Sequence, residues 1–210
     1  MLITEIFMSI QGESSFAGFP CSFIRTTGCN LRCVWCDTEY AFYGGKEMSI
    51  HEILTAIEPH RCRLVEITGG EPLLQNDVGE LAQVLLQKGH TVLCETGGAL
   101  DIDLLPREVI RIMDIKCPES GMMKHMDWEN LNRLSPRDEI KFVINSRSDY
   151  EWAVKILFDY QLSKKNLVLF SPVYQKMEPA TLADWILEDR LPVRFQIQLH
   201  KVLWGDCPGR

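Results

Sequence analysis

Short apolar runs alternate along this chain with stretches whose apolar positions recur at helical spacing. Near-continuous apolar runs mark strands buried on both faces, and apolar residues three and four apart mark one face of a helix. Strands are therefore predicted over residues 2–8, 22–26, 63–68, 91–95, 109–115, 139–144, 166–170 and 193–199. A helix is predicted over 48–57, from apolar positions 50, 53, 54 and 57. Another is predicted over 78–88, from positions 78, 81, 82, 85 and 86, with Gly89 as its stop. Further helices are expected over 127–134, 149–160 and 180–188, and Pro172 closes the strand before the last of them.

Alternating strands and helices with short joins imply right-handed crossovers and a parallel sheet. Between Thr96 and Val109 the helix is short or missing, which favours a partly open α/β barrel over a complete eightfold one. The chain shows no internal repeat, low-complexity segment or linker, so its 210 residues read as one domain, 1–210.

Composition narrows the class without changing the fold. Hydrophobic residues at 46% and charged residues at 24% are ordinary globular values. A net charge of −7 argues against broad nucleic-acid binding. Residues 1–5, Met-Leu-Ile-Thr-Glu, do not open a charged-then-apolar signal pattern, and no apolar run approaches the ~18 residues of a spanning helix. The expectation is a soluble cytoplasmic protein with no nucleic-acid or membrane partner. Its eight cysteines then read as reduced thiols, either ligands or small core residues.

Three of those cysteines stand apart. Cys29, Cys33 and Cys36 form C-x3-C-x2-C, with no fourth cysteine at a comparable interval. A closed zinc site takes four protein ligands, and an electron-transfer 4Fe–4S cluster takes four cysteines. Three thiolates leave one metal position open to something that is not protein. The alternative is a zinc loop completed from a distance by His51, Cys62 or a C-terminal group.

Other polar motifs stand immediately after predicted strands: Thr68-Gly69-Gly70-Glu71-Pro72, Glu95-Thr96-Gly97-Gly98, Asp114-Ile115-Lys116 and Ser171-Pro172-Val173-Tyr174. The carboxyl ends of parallel strands share one face, where ligands bind. Singly, each motif also fits a turn or a helix cap; together they mark a site.

The C-x3-C-x2-C loop followed by Gly69-Gly70-Glu71-Pro72 resembles the radical S-adenosylmethionine superfamily. Ser9-Ile10-Gln11-Gly12-Glu13, Phe23-Ile24-Arg25, Gly28-Cys29-Asn30-Leu31, Trp35-Cys36-Asp37-Thr38 and Leu199-His200-Lys201-Val202-Leu203-Trp204 narrow the likeness to the 7-carboxy-7-deazaguanine synthase family. The resemblance implies an α/β fold, an abbreviated (βα)6-type barrel with mostly parallel strands and a reduced helix complement. It also implies a lyase of 7-deazapurine (queuosine) biosynthesis, with a 4Fe–4S cluster, S-adenosylmethionine and Mg²⁺ as cofactors. A flavodoxin- or ferredoxin-type reductant and a homodimer are implied as partners. A different radical enzyme, such as a glycyl-radical activase, is the alternative within the superfamily.

By this resemblance Cys29, Cys33 and Cys36 hold the cluster, and its fourth iron binds the amino and carboxylate groups of S-adenosylmethionine. Trp35, Cys36, Asp37, Gly70, Glu71, Glu95, Asp114, Ile115, Lys116, Ser171, Pro172, Val173 and Tyr174 match positions that contact S-adenosylmethionine. Many relatives carry a Ser-Pro-Lys type sequence where this chain has Asp114-Ile115-Lys116. Thr38 matches the magnesium ligand. The implied substrate is 6-carboxy-5,6,7,8-tetrahydropterin, with Ile10, Gln11, Gly12, Glu13, Arg25, Thr68 and His200 as its binding residues. A guanidinium suits the substrate carboxylate, although Arg25 could instead form a structural salt bridge. No general acid or base is assigned, because the radical arises from the cluster and S-adenosylmethionine.

Overall fold

A computed structural model describes residues 1–209. Its strands are β1 (Leu2–Ile10), β2 (Pro20–Thr26), β3 (Lys46–Glu47), β4 (Leu64–Gly69), β5 (Thr91–Thr96), β6 (Ile110–Ile115), β7 (Glu139–Ile144), β8 (Leu167–Pro172) and β9 (Arg194–Phe195). They form one sheet in the order β3-β1-β2-β4-β5-β6-β7-β8-β9. From β2 onward every neighbouring pair is parallel, and only β1 and β3 run antiparallel to their neighbours.

The apolar strand runs hide a strict division of faces, because successive side chains point to opposite sides of a sheet. Ile24, Val65, Ile67, Val92 and Cys94 point outward and pack with α1 (Ile50–Ile57) and α2 (Val78–Gln87). Met113, Ile115, Ile140, Phe142, Ile144, Val168 and Phe170 pack with α4 (Arg147–Asp159) and α5 (Pro179–Glu188). The short α3 (Asn130–Arg133) lies between these two groups of helices in the chain. Inside, Cys21, Phe23, Leu64, Leu93, Ile110 and Ile112 form an apolar floor with Phe7 and Phe16. Polar inward residues lie above it, toward the carboxyl ends of the strands.

The two sides of the open barrel meet through polar contacts rather than a strand ladder. Ser15, after β1, donates to Glu139 on β7 through its main-chain N–H and its hydroxyl. Lys141 on β7 reaches Glu13 at 2.8 Å. The Leu199 N–H donates to the carbonyl of Gly12 at 2.9 Å.

Most expected elements are present with shifted ends, and α1 begins at a full capping box between Ser49 and Glu52. Two expectations fail. The strand expected over 193–199 is only Arg194–Phe195, and Leu199–Trp204 is a helix, α6. The alternating Val193, Phe195, Ile197 and Leu199 overlap a helical spacing of Leu199, Val202 and Leu203, and the second pattern takes the end of the segment. The helix expected over 127–134 shrinks to α3, because buried Asn130 bonds the main chain of Gly98, Leu100 and Ile102. Between β5 and β6 there is one 3-10 turn, Ile102–Leu104. Buried Arg111 ties it to the sheet, pairing with Asp138 at 3.4 Å and donating to the carbonyls of Ile102 and Leu105. No helix among the described residues is long and apolar enough to cross a membrane.

Candidate active site

A cavity of about 470 Å³ opens at the carboxyl ends of the strands. The i, i+2 spacing of inward positions builds its wall: Phe23 and Arg25 on β2, Glu66 and Thr68 on β4, Ile112 and Asp114 on β6, Lys141 and Val143 on β7. Register sets the neighbours, with Arg25 beside Thr68 and Asp114 beside Lys141.

The cysteine loop follows β2 directly and roofs one side of this cavity. Arg32 braces the loop, donating to the carbonyls of Cys29 at 2.7 Å and Leu31 at 2.6 Å while stacking 4.2 Å over Phe42. A Cβ on Gly70 would lie 2.3 Å from the Gly28 carbonyl oxygen, so only glycine lets β4 approach the loop so closely. Cys29, Cys33 and Cys36 are half-buried and free, and Cys33 and Cys36 line the cavity. Burial pushes all three thiols up. Thiolates there need a metal centre to hold them.

Of the distant ligands a zinc loop could use, neither His51 nor Cys62 lines this cavity. His51 sits on α1, and Cys62 precedes β4, at the opposite end of the strands from the cysteine loop. Among the described residues no three His, Cys, Asp or Glu side chains gather closely enough to hold a single metal ion. Three half-buried thiols on one loop, two of them lining the cavity, fit a cluster with one iron left open. Thr38 lines the same cavity and donates to Asp37 at 2.8 Å, leaving its oxygen lone pairs available to a cation.

Most of the residues expected in the site do converge here. Ile10, Gln11, Gly12, Glu13, Arg25, Trp35, Asp37, Thr38, Thr68, Glu95, Asp114, Lys116, Val173, Tyr174 and His200 all line the cavity. Gly70 and Glu71 instead lie behind its wall. Glu71 is fully buried and accepts from Thr96 at 2.8 Å, Gly97 at 2.7 Å and Leu73 at 3.1 Å, so it clamps the ends of β4 and β5 together. The Ile115 side chain belongs to the outer core, Ser171 is buried, and Pro172 lines a second groove.

Arg25 lines the cavity and also forms the structural salt bridge that is its second sequence reading. Its Nε donates to Glu5 at 2.8 Å, and Tyr40 donates to the same oxygen at 2.7 Å. Burial opposes its charge, but Tyr40 and Glu5 hold the guanidinium above the usual arginine value. The bond through Nε leaves the two terminal nitrogens for a ligand in the cavity.

At the base of the cavity a polar network joins distant strands. Lys141 is buried and meets Glu13 at 2.8 Å, Glu95 in close contact and Asp114 at 3.7 Å. Asp114 also pairs with Lys116 at 2.9 Å, and Asp114 Oδ1 has no partner. Burial pushes Glu95 up, but Lys141 outweighs it and holds the carboxyl below its ordinary value. Glu66, close to the Gln11 amide, is different. Burial, then Glu95 and Glu13, drive its carboxyl well above the ordinary range, which favours the neutral form.

Helix α6 covers the mouth. Gln198 donates to Glu13 at 3.0 Å and to Asp37 at 3.2 Å, and Lys201 pairs with Asp37 at 2.8 Å. The His200 ring lies against Gly12, where a Cβ would come within 2.0 Å of Nδ1. Burial lowers the His200 pKa, favouring the neutral ring. Sequence reasoning missed Glu66, Lys141, Glu5 and Gln198. The available signal was a charged residue inside an apolar strand run, as at Val65-Glu66-Ile67 and Ile140-Lys141-Phe142.

Comparison with known proteins agrees with this geometry. Residues 23–174 match the family described as the Radical SAM superfamily. A 7-carboxy-7-deazaguanine synthase of Koribacter versatilis is 46% identical, with 97% of each chain covered. The enzyme of the same name from Chlorobaculum tepidum is 46% identical over 97% of this chain and 94% of its own. The crystal structure of QueE from Escherichia coli superposes with a TM-score of 0.78, covering 95% of this chain and 94% of that one. At 24% identity, that likeness speaks for the fold.

Proposed function

The chain belongs to the 7-carboxy-7-deazaguanine synthase family of radical S-adenosylmethionine enzymes, and from that premise we propose that it converts 6-carboxy-5,6,7,8-tetrahydropterin to 7-carboxy-7-deazaguanine with loss of ammonia. One observation carries the reading. A loop of three cysteines opens onto the same cavity as a guanidinium, Arg25, and a set of hydrogen-bonding groups at Gln11, Gly12, Glu13 and Thr68.

Cys29, Cys33 and Cys36 are the residues that would hold the 4Fe–4S cluster, and Thr38 the Mg²⁺, which takes few protein ligands. When bound, the cluster and S-adenosylmethionine supply the hydrogen-abstracting radical that ring contraction requires. The protein's own part is positioning and exclusion of water. Asp37 and Tyr174 frame the cofactor side of the cavity. Asp114 and Lys116, paired with each other, offer it one charge of each sign. Arg25, held by Glu5, presents its terminal nitrogens to the substrate carboxylate. The main chain of Ile10 and Gly12, the carboxylates of Glu13 and Glu95, and Thr68 face the flat heterocycle, and His200 closes over it. Glu95 leaves the cofactor set in this reading, because its partners Thr68 and Lys141 lie on the substrate side.

The proposal includes a single domain over the whole chain, cytoplasmic location, a homodimer and a flavodoxin- or ferredoxin-type electron donor. Anaerobic reconstitution with iron and sulfide tests the metal centre: 4Fe–4S absorbance that is lost in Cys33→Ala supports the reading. Zinc alone in the protein contradicts it.

A further inference from the structure

We propose that Lys141 is the positioning residue of the substrate pocket, its ammonium gathering Glu13, Glu95 and Asp114 so that Glu13 and Glu95 stand as fixed acceptors for a ligand's N–H edge. The inference rests on the pterin reading above and deepens it.

Lys141 lies between Ile140 and Phe142, both fully buried in the outer core, so the pleat turns its side chain inward. There its ammonium donates to Glu13, after β1, and to Glu95 on β5, and forms a looser ion pair with Asp114 on β6 at 3.7 Å. Sequence separations of 128 and 46 residues show that this is no local helix or turn pairing. A buried lysine is costly unless paired, and here the half-buried Glu13 and Glu95 supply the pairing.

Each carboxylate also keeps a defined second contact. Glu13 uses Oε2 on Lys141 and accepts from Gln198 through Oε1 at 3.0 Å. Glu95 uses Oε1 on Lys141 and accepts from Thr68 through Oε2 at 3.3 Å. One neutral donor on an outer oxygen leaves acceptor capacity free, since an ionised carboxylate has about four lone-pair sites. An amino-pyrimidinone ring presents N–H donors along one edge, which such oxygens satisfy. Among the described residues Lys141 is the one group bonded to both Glu13 and Glu95, so without it the two carboxylates lose the contact that sets their relative positions.

The test uses Lys141→Met and Lys141→Arg holoenzymes, reconstituted anaerobically. Cluster iron, the change in the reduced-cluster electron paramagnetic resonance signal on adding S-adenosylmethionine, and pterin dissociation by equilibrium dialysis are measured on each. Lys141→Met should keep the first two and weaken pterin binding at least tenfold, the scale of an unpaired buried charge. Lys141→Arg should recover part of that loss. Adding Glu13→Gln to Lys141→Met should cost less than Glu13→Gln does alone. Unchanged pterin affinity in folded Lys141→Met overturns the proposal. So does loss of cluster and pterin binding together in both variants, which marks a support for the fold. Wild-type protein that holds the cluster but does not bind the pterin would instead sink the functional reading on which this one rests.

Discussion

Asp37, one residue past the last cysteine of the loop, pairs with Lys201 on α6 at 2.8 Å. The bond joins the segment that carries the metal ligands to the segment that covers the cavity. Lys201 also lies 4.8 Å from the Tyr174 ring centroid, so one ammonium holds three parts of the rim. The pair sits at the rim, with 42% of the Asp37 side chain and 7% of that of Lys201 exposed, on a short helix outside the apolar clusters of the sheet. The effect of Lys201→Met should therefore be local. Hydrogen exchange should speed up across residues 199–204 while the melting temperature changes little, and KM should rise. Unaltered exchange in α6 would show that the pair does not hold the cover.

Gly12 tests the same cover from the other side. A Cβ there would meet the His200 ring at 2.0 Å and the His200 main-chain nitrogen at 3.0 Å, and the main chain cannot swing aside as a side chain could. Gly12→Ala should displace α6 at a cost of about 1–3 kcal/mol. Cluster content should stay normal while turnover falls at least tenfold, about 1.4 kcal/mol in the barrier. Wild-type turnover would mean that α6 does not need its observed seat.

Arg25→Ala should weaken pterin binding by about 1.5–3 kcal/mol, the range of hydrogen bonds to charged groups. Iron content and S-adenosylmethionine binding should be unaffected, because Arg25 contacts Glu5 and Tyr40 and not the cysteine loop. A cluster lost in this variant would make Arg25 a structural support.

Glu66 gives a pH dependence with a definite sign. Its folded pKa lies above the ordinary 4.5, so its contribution to stability is complete below about 4.5 and is lost as pH rises toward the folded value. Glu66→Gln keeps the neutral shape and the contact with the Gln11 amide but cannot ionise. Denaturant unfolding should show the variant gaining on wild type as pH rises above 4.5. A constant difference across that range would mean that Glu66 is not held neutral.

The cysteine loop and the strand-end motifs were legible because their chemistry is local: ligands spaced along a few residues, glycines at a turn. Glu71 shows the limit of that legibility. Its position after Gly70 suggests a ligand contact, but its bonds to Thr96, Gly97 and Leu73, which clamp two strand ends, leave no trace in the spacing. Lys141 and Glu66 were hidden for the opposite reason. Each sits in an apolar run that only says strand, and its meaning depends on partners brought near by register and curvature. The end of the chain failed through a true ambiguity, since residues 193–203 satisfy a period of two and then a period near 3.6. The strand at Lys46–Glu47 is too short to leave a pattern.

The central claim joins the three-cysteine loop and the pterin-facing wall into one reaction chamber. Anaerobically reconstituted, reduced protein supplied with S-adenosylmethionine, Mg²⁺ and 6-carboxy-5,6,7,8-tetrahydropterin measures it directly, with product followed by liquid chromatography and mass spectrometry. Formation of 7-carboxy-7-deazaguanine with release of ammonia is the predicted result. Abortive 5′-deoxyadenosine with no deazaguanine, from protein carrying a full cluster, would contradict it.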